Sequence, residues 1–537
     1  MGKEGLIGRK VIRESRSDYH QATLEWMYTP HKILQRAAKT ITSNDQTYLF
    51  WTTLIYYVIS VLSPNNKAIF LSLLALWFIY NRRFRNIRFS LLLTAIASLI
   101  FLVGKTWTFQ LISPILLKST SYPQGYMAIS TITPFNILAF MILAVLMRDL
   151  LKDDFGIRRK IINTLKKKWM LYLSLFFLWQ VVSALSAKNV YNLSIMYTLQ
   201  SLSFLVLLLG LRAYDARNGR QYVRITSIFA AITMFEAILA SFQWIYRSTF
   251  GLAIESTQGF LTYQRAVDQS FFSVRSLGTF SHPNELAVFA LLMIPIFLSL
   301  LYGRSQGKHK LKQIYYWVAF LSAATLVVLS QGRSAWISSY IALLGFLYIV
   351  EKRWDRHLIA VKDITTRKVF YLTLVAIVGL TVIVPRAGKS IDLFKPSGGV
   401  ETRSKLVKES INLIRENPIF GVGMGLSPYA MLRMNPRGIV SIFPSVVHNF
   451  YLLTASESGL PALLFFLMFI ISLFKDMYQQ WRIFPQDDKI RKLGLLAALV
   501  SVLINSVTQQ IFLMGFFLIV CNLLTTNERN QAREKIH

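Results

Sequence analysis

The feature that most constrains this chain is a series of long apolar stretches, repeated along the whole sequence and separated by short basic connections. A stretch of about 20 apolar residues can cross a lipid bilayer, with a working range of about 17–25. Charged residues make up only 16% of the 537 residues, against roughly 25% in soluble globular proteins. The pattern predicts an integral membrane protein and argues against a cytosolic enzyme, a disordered chain or a fibrous protein.

We predict an all-α polytopic fold in which about fourteen helices cross the membrane. The first three apolar stretches are short, and little more than Gln509 and Gln510 separates the last two, so twelve or thirteen spans is the alternative. The predicted spans are 48–62, 68–81, 89–104, 133–147, 169–187, 195–211, 225–246, 285–302, 314–330, 334–350, 369–384, 449–474, 493–507 and 510–526.

Basic residues are concentrated on one side of the predicted membrane. Of the 59 Lys and Arg residues, 42 lie in the termini and connections that share a side with the N-terminus. Short cytoplasmic loops carry an excess of Lys and Arg, so we predict that both termini are cytoplasmic. The net charge of +33 then reflects topology and attraction to anionic lipid headgroups, and nucleic-acid binding is not predicted.

Three parts of the chain follow from this topology. Residues 1–47 lack the apolar core and cleavage site of a signal peptide, and we expect a basic cytoplasmic tail there. Residues 48–526 form the predicted transmembrane domain, and residues 527–537 form a short cytoplasmic tail.

Two outer connections are long, and the larger, 385–448, is predicted to be a large external loop. It holds nine basic residues against four acidic ones, although only 17 basic residues fall on the outer side altogether. This excess opposes the topological trend, and an anionic partner outside the membrane is its simplest cause. The alternative is a solvated loop that is attracted to phospholipid headgroups.

Within this loop, residues 401–416 have the pattern of an amphipathic helix, taken at 100° per residue. Arg403 lies at the head of the apolar face, near Val407 and Ile414. The other basic residues of the helix fall on the wet face: Lys405, Lys408 and Arg415. A charge on an apolar face is costly unless it meets a partner. Arg403 is therefore predicted to meet a buried anion, with snorkelling to the interface as the alternative.

Three further residues are candidates for chemistry on the outer side. Arg333 lies in a turn too short to lift it clear of the membrane surface, where a guanidinium suits phosphate oxygens. Taken alone, Arg333 fits an interfacial anchor better. Of seven histidines, only His282 and His448 fall on the outer side. Each stands at the mouth of a span, where a lone histidine is usually interfacial.

Other signals are weaker. No His or acidic spacing indicates a metal site, and the single cysteine, Cys521, excludes a disulfide framework. The glycine run 421–425 lacks the Lys and Ser/Thr of a phosphate-binding loop and indicates a turn or a close backbone approach. Glu236 and Glu457 lie within predicted spans. They are functional candidates or make helix–helix hydrogen bonds.

Three segments, in their order, spacing and outer placement, resemble the O-antigen ligase/polymerase superfamily. Residues 330–336 (Ser-Gln-Gly-Arg-Ser-Ala-Trp) resemble its arginine turn. Thr402-Arg403-Ser404, followed by the Glu-Asn-Pro and glycine run of 416–425, resembles its large external loop. Residues 448–461, which begin His-Asn and continue through Glu-Ser-Gly, resemble its His-Asn…Glu-x-Gly element. The resemblance covers about 270–475, and the N-terminal half matches only as generic membrane helices.

This resemblance implies a GT-C-type architecture and a metal-independent glycosyltransferase without a cofactor. The implied donor is a polyprenyl-diphosphate-linked oligosaccharide, and the implied acceptor is a hydroxyl of a glycan or glycolipid. Catalysis would depend on Arg333, Arg403 and His448, and we expect Asn449, His282 and Asn284 to help bind substrate. The implied location is the cytoplasmic (inner) membrane, with the site on its periplasmic side. Fourteen spans exceed the usual twelve of the ligases, which leaves ligase and polymerase both open.

Two other classes compete with this interpretation. A transporter or flippase for lipid-linked oligosaccharide suits a chain of fourteen spans, but such proteins place their sites at mid-membrane on broken helices within repeats. In this sequence the polar signal lies in one outer loop and no repeat is evident. A non-catalytic assembly subunit is the third possibility.

Overall fold

The computed structural model describes most of the predicted membrane domain. The described residues are 45–63, 65–100, 105–112, 126–152, 155–187, 191–214, 221–255, 275–302, 310–354, 399–482, 484–510 and 512–526. Most of the N-terminal tail, the predicted span 369–384, the start of the external loop at 385–398 and the C-terminal tail lie outside these residues, and the predicted domain boundaries stay predictions.

A helix occupies every predicted span that falls within the described residues. In chain order the helices are α1 (Asp45–Val61), α2 (Asn66–Phe84), α3 (Ile87–Ala97), α4 (Pro134–Leu151), α5 (Phe155–Leu165), α6 (Lys168–Ser186), α7 (Tyr191–Ala213), α8 (Gln221–Tyr246), α9 (Pro283–Tyr302), α10 (Lys310–Ser330), α11 (Arg333–Trp354), α12 (Gly399–Glu416), α13 (Ser427–Met434), α14 (Phe450–Gln480), α15 (Gln486–Asn505) and α16 (Met514–Thr525).

Seven of these helices are long and apolar enough to cross a membrane, judged by length and composition: α4, α6, α7, α8, α9, α11 and α14. Three shorter apolar helices lie at Ile87–Ile100, Ile314–Ser330 and Met514–Thr525. The fold is therefore that of a helical membrane protein, and the count of fourteen spans remains a prediction.

One element departs from the predicted all-α class. Strands β1 (Lys105–Ile112) and β2 (Tyr126–Ile132) pair in an antiparallel hairpin, with Lys105 opposite Ile132. The residues of β1 are largely β-branched or aromatic, which favours a strand. Gln200 of α7 donates hydrogen bonds to the Ser130 hydroxyl at 3.0 Å and to the Thr131 carbonyl at 2.7 Å, so β2 is fastened to the bundle.

The bundle is built around α9, whose residues are almost all buried and which packs against α10 and α15. A second extensive contact joins α6 and α14, which run antiparallel. Lys167 and Asp476 pair at 3.9 Å near one end of this contact. Further along, the rings of Trp179 and Phe465 lie 6.2 Å apart. These two helices form a firm support for the outer loop.

The glycine run of the external loop docks on a break in α14. Gly459 has φ 85° and ψ 166°, which interrupts the helix. The N–H of Val422 donates to the Ser456 carbonyl at 3.0 Å, and the N–H of Gly423 donates to the Glu457 carbonyl at 2.8 Å. The Glu457 carboxylate accepts a 2.8 Å hydrogen bond from the Ser427 hydroxyl. The predicted close backbone approach is confirmed, and Glu457 holds the loop.

We expect Gly459→Ala to destabilise the fold, because a Cβ there would overlap the Ile419 carbonyl oxygen. The backbone angles of Gly459 are also nearly restricted to glycine, which adds roughly 1–3 kcal/mol for other residues. Gly345→Ala is the matched control, since a Cβ at Gly345 meets nothing within 4 Å. Thermal unfolding in detergent, followed by size-exclusion chromatography, should show a lower Tm for Gly459→Ala alone. Equal Tm values for both variants would contradict the docking described above.

Candidate active site

Four connections at the ends of helices meet on one side of the bundle. They are the segment before α9, the turn between α10 and α11, the end of the external loop before α14, and the loop between α15 and α16. Each of them leads into the N-terminus of a helix, where backbone N–H groups and the helix dipole favour negative charge. The sequence-predicted site residues lie in or beside these connections, or on α12.

The loop between α15 and α16 joins the other three connections. Asn449 donates to the Val507 carbonyl at 2.9 Å, and the Phe450 N–H donates to the Ser506 carbonyl at 2.9 Å. Gln509 accepts from the Asn284 amide at 2.9 Å and donates to the Ser334 hydroxyl at 3.2 Å. Gln509 therefore links the N-termini of α9 and α11 to the loop that holds the start of α14.

The segment before α9 is fixed by polar groups of α8. The Glu236 carboxylate accepts hydrogen bonds from the N–H and the hydroxyl of Thr279. The Gln243 side chain accepts from the Gly278 N–H at 2.8 Å. Glu236, a candidate for function in the sequence, thus makes hydrogen bonds that hold a loop. Its partner is a connection and not a second helix, which differs from the predicted alternative.

Arg275 binds two parts of the site and was not identified from the sequence. Its Nε donates to the Ser330 carbonyl at 2.8 Å, and its Nη2 donates to the Asn284 side-chain oxygen. The end of α10 is thereby tied to the start of α9. The available signal was one more outer-side arginine, seven residues before His282.

His282 is a neutral side chain that caps α9. Its Nδ1 accepts a 2.9 Å hydrogen bond from the Asn284 N–H, so in the neutral ring the proton is on Nε2. Burial lowers the pKa of His282 to about 3, and the charges of Arg275 and of protonated His448 act in the same direction. His282 can therefore offer an N–H donor at neutral pH, but no charge.

Arg333 and Arg403 are electrostatic neighbours. Arg333 is the first residue of α11 and is half-buried, and Arg403 lies in the first half of α12. The pKa of Arg403 is lowered from its usual value, first by desolvation and then by the charge of Arg333. The two guanidinium groups, which are 70 residues apart in the sequence, are thus brought to one place.

The position of Arg403 on α12 differs from the prediction. The buried stripe of the helix contains Leu406 and Leu413, at 0% and 1% exposure, together with Ser410. Arg403 lies beside this stripe and is exposed. The predicted centre of the apolar face lies too close to Ile411, which remains 37% exposed. The wet-face basic residues are exposed as predicted: Lys405, Lys408 and Arg415.

His448 completes the cluster. It is half-buried, and its Nδ1 is buried without a hydrogen-bond partner among the described residues. Burial and the charge of Arg403 lower the pKa of His448 to about 4, with the Val446 backbone acting in the opposite direction. The imidazole is therefore neutral at physiological pH and can accept a proton.

The cluster carries positive charge without a protein counter-ion. Neither Arg333 nor Arg403 makes a hydrogen bond or ion pair with any residue that the structure describes. In the same part of the chain, no group of three His, Cys, Asp or Glu side chains is placed to hold a metal ion. An accessible arginine pair with open hydrogen-bonding capacity, close to helix N-termini, is suited to a phosphate-bearing anion.

Comparison with known proteins identifies the same segments. The O-antigen ligase family model matches residues 318–467, which include Arg333, Arg403 and His448 but neither His282 nor Asn284. A general O-oligosaccharyltransferase of Acinetobacter baylyi is 23% identical over 262 residues, or 46% of this chain and 41% of that protein. The chain thus aligns with about two fifths of this relative. The resemblance found in the sequence motifs is confirmed.

We expect Arg275→Gln to loosen the turn that precedes Arg333, because glutamine cannot reach both the Ser330 carbonyl and Asn284. Loss of a charged hydrogen bond costs about 1.5–3 kcal/mol, so hydrogen exchange of residues 328–336 should be at least about tenfold faster. Arg415→Gln, which removes an exposed cation from α12, should leave this exchange unchanged. An unchanged rate in Arg275→Gln would show that Arg275 does not hold the turn.

Proposed function

We propose that this chain, a member of the O-antigen ligase superfamily, is a membrane glycosyltransferase that transfers an oligosaccharide from a polyprenyl diphosphate carrier to a hydroxyl acceptor. The observation that carries the proposal is the pair Arg333 and Arg403, unpaired among the described residues and beside a neutral His448. The relative's name, a general O-oligosaccharyltransferase, agrees with a hydroxyl acceptor. The acceptor is a glycan or glycolipid, and ligase and polymerase share this chemistry.

The two arginines stabilise the leaving group. When the bond between the sugar and the diphosphate breaks, negative charge grows on the phosphate oxygens. Cations that are already in place lower the barrier, by about 3–4 kcal/mol for each strong donor. A guanidinium group does not lose its proton in proteins, so both side chains keep their charge. The two guanidinium groups thus take the role that a metal ion has in many transferases.

His448 acts on the acceptor. A sugar hydroxyl is a poor nucleophile, and removal of its proton during attack typically contributes about 10²–10⁴-fold. The neutral imidazole of His448 accepts this proton, while Asn449, His282 and Asn284 orient the substrates. Attack from the side opposite the diphosphate inverts the configuration at the anomeric carbon. The imidazolium of His448 then releases this proton to solvent.

The site's position fits an amphiphilic donor. The predicted topology puts the external loop and the helix ends around it on the periplasmic side of the inner membrane. The prenyl chain then lies among the membrane helices while the diphosphate meets the arginines at the surface. Both Glu236 oxygens accept hydrogen bonds from Thr279, which favours a structural role for this acidic side chain over a role in transport.

Three substitutions test these assignments. Arg333→Gln, Arg403→Gln and His448→Gln should each lower transfer by about 10²–10³-fold. Their folding should be preserved, because neither arginine makes a hydrogen bond or ion pair with a described residue, and the buried Nδ1 of His448 has no hydrogen-bond partner there. Lys408→Gln is the control, since Lys408 is exposed on the same helix as Arg403.

The measurement uses purified protein with a polyprenyl-diphosphate oligosaccharide, with and without candidate acceptors, and with EDTA. A ladder of products without added glycolipid identifies a polymerase, and a single transfer that needs the glycolipid identifies a ligase. EDTA should have no effect. Normal transfer by folded Arg403→Gln protein would refute the mechanism.

The pH profile provides a second test. Protonated His448 cannot accept a proton, so kcat/KM should fall only as the pH drops towards about 4, the pKa of the free site. The bound diphosphate favours the imidazolium, and the acid limb of kcat should therefore lie at a higher pH than that of kcat/KM. Both limbs are obtained from initial rates at saturating and limiting donor. An acid limb of kcat/KM near 6.5 would contradict a buried, cation-flanked base.

A further inference from the structure

We propose that the tip of the external loop, Pro418–Phe420, is inserted into the hydrocarbon layer and binds the acyl chains of membrane lipids. This tip follows directly after α12, the helix that carries Arg403. The sequence predicts instead that residues 385–448 form a loop outside the membrane. Depth, exposure and backbone pairing each support insertion of the tip.

The depth of the tip follows from its contacts with α6 and α14. The Phe420 ring stacks on Trp179, with centroids 5.8 Å apart and planes inclined by 6°. Trp179 lies 12 residues after Lys167, which pairs with Asp476 near the polar end of α6 and α14. At about 1.5 Å per residue this is about 18 Å along the helix. The hydrocarbon layer is about 30 Å thick, so the tip lies inside it.

The side chains of the tip face outwards. Within the described structure Ile419 is 53% exposed and Phe420 is 42% exposed. They adjoin α6 and α14, whose outward-facing apolar side chains at this level are similarly uncovered: Leu178 at 58%, Leu460 at 46% and Leu464 at 54%. Outward-facing residues of membrane-spanning helices contact lipid. The tip continues the same apolar surface and is therefore assigned the same partner.

Two backbone carbonyls of the tip are satisfied by protein groups. Irregular backbone is tolerated at membrane depth only where its polar groups are satisfied by protein. Pro418 has no N–H, and its carbonyl accepts from the Leu460 N–H at 2.8 Å. The Ile419 carbonyl accepts from the Trp179 indole at 3.2 Å. The break in α14 at Gly459 and Pro461 frees the Leu460 N–H for this purpose.

Insertion sets the height of the catalytic helix. Asn417 donates to the Leu413 carbonyl at 2.9 Å, and the Gly421 N–H donates to the Asn417 carbonyl at 3.1 Å. The tip is thus joined to the end of α12 without a flexible spacer. Acyl chains around Ile419 and Phe420 hold this end of α12 at the membrane, and with it the level of Arg403 relative to a lipid-borne diphosphate.

Site-directed spin labelling tests the depth without any turnover, so its result is independent of the proposed enzymatic function. The only cysteine of the sequence, Cys521, is buried in α16, and Cys521→Ala supplies the background. Nitroxides are placed at Ile419→Cys and Phe420→Cys. Lys408→Cys is the matched control, because Lys408 is exposed on α12 and lies further from the tip. The protein is reconstituted in vesicles of phosphatidylethanolamine and phosphatidylglycerol.

Collision rates with oxygen, which concentrates in hydrocarbon, and with a water-soluble nickel chelate report the surroundings of each label. We expect oxygen to exceed nickel at positions 419 and 420, and nickel to exceed oxygen at position 408. Nickel accessibility at 419 and 420 equal to that at 408 would place the tip in water and overturn the proposal. Low accessibility to both reagents would mean that protein covers the tip, which also overturns it. Thermal unfolding of each labelled protein confirms that it is folded.

Discussion

The arrangement depends on holding two like charges together. Desolvation and then repulsion by the charge of Arg333 lower the pKa of Arg403, and neither arginine has a counter-ion among the described residues. Such a pair persists only where rigid elements keep the side chains in place. Arg333 opens α11 directly after a tight turn, and Arg403 belongs to a helix that is fastened at its end to α14. The repulsion is relieved when an anion binds, and under the proposed function the folded protein is therefore complementary to a diphosphate before any substrate arrives.

The rigidity comes from polar groups that look unremarkable in the sequence. Gln509, Asn284 and Ser334 form a continuous hydrogen-bonded path through the site. Glu236 and Gln243 fix the next segment from within α8. In an environment of low dielectric an unpaired polar group is expensive, so each of these contacts strongly favours one geometry. Buried polar residues of the membrane helices thus serve the site by holding its loops.

The sequence was a good guide to the helices and to three polar side chains that lie near one another. Hydropathy locates spans because backbone hydrogen bonds must close within each helix in lipid, and helices stand at every predicted span that the structure describes. The motifs brought out Arg333, Arg403 and His448, which interact in the structure. The family comparison confirms the resemblance to the O-antigen ligase family over residues 318–467, whereas the catalytic roles remain proposals.

The parts that were missed depend on tertiary contact. Strands β1 and β2 have an ordinary strand pattern, but they lie between two predicted spans, where the hydropathy pattern predicts only a connection. Arg275 and Gln509 have no local signature, since their roles come from partners far away in the chain. The predicted position of Arg403 around α12 was wrong, because periodicity shows which residues form the apolar side of a helix but not which of them a neighbouring helix covers. Ile411 belongs to that apolar side and is still exposed.

The neutral state of His282 and His448 sets the charge balance of the site. With both rings uncharged at physiological pH, the fixed positive charge comes from Arg275, Arg333 and Arg403. A sugar-linked prenyl diphosphate brings about two negative charges, and the freed carrier brings closer to three. Under the proposed function, the spent carrier is therefore retained more firmly than the incoming donor. Release of the spent carrier, and not cleavage of the bond between the sugar and the diphosphate, then becomes the rate-limiting step of turnover.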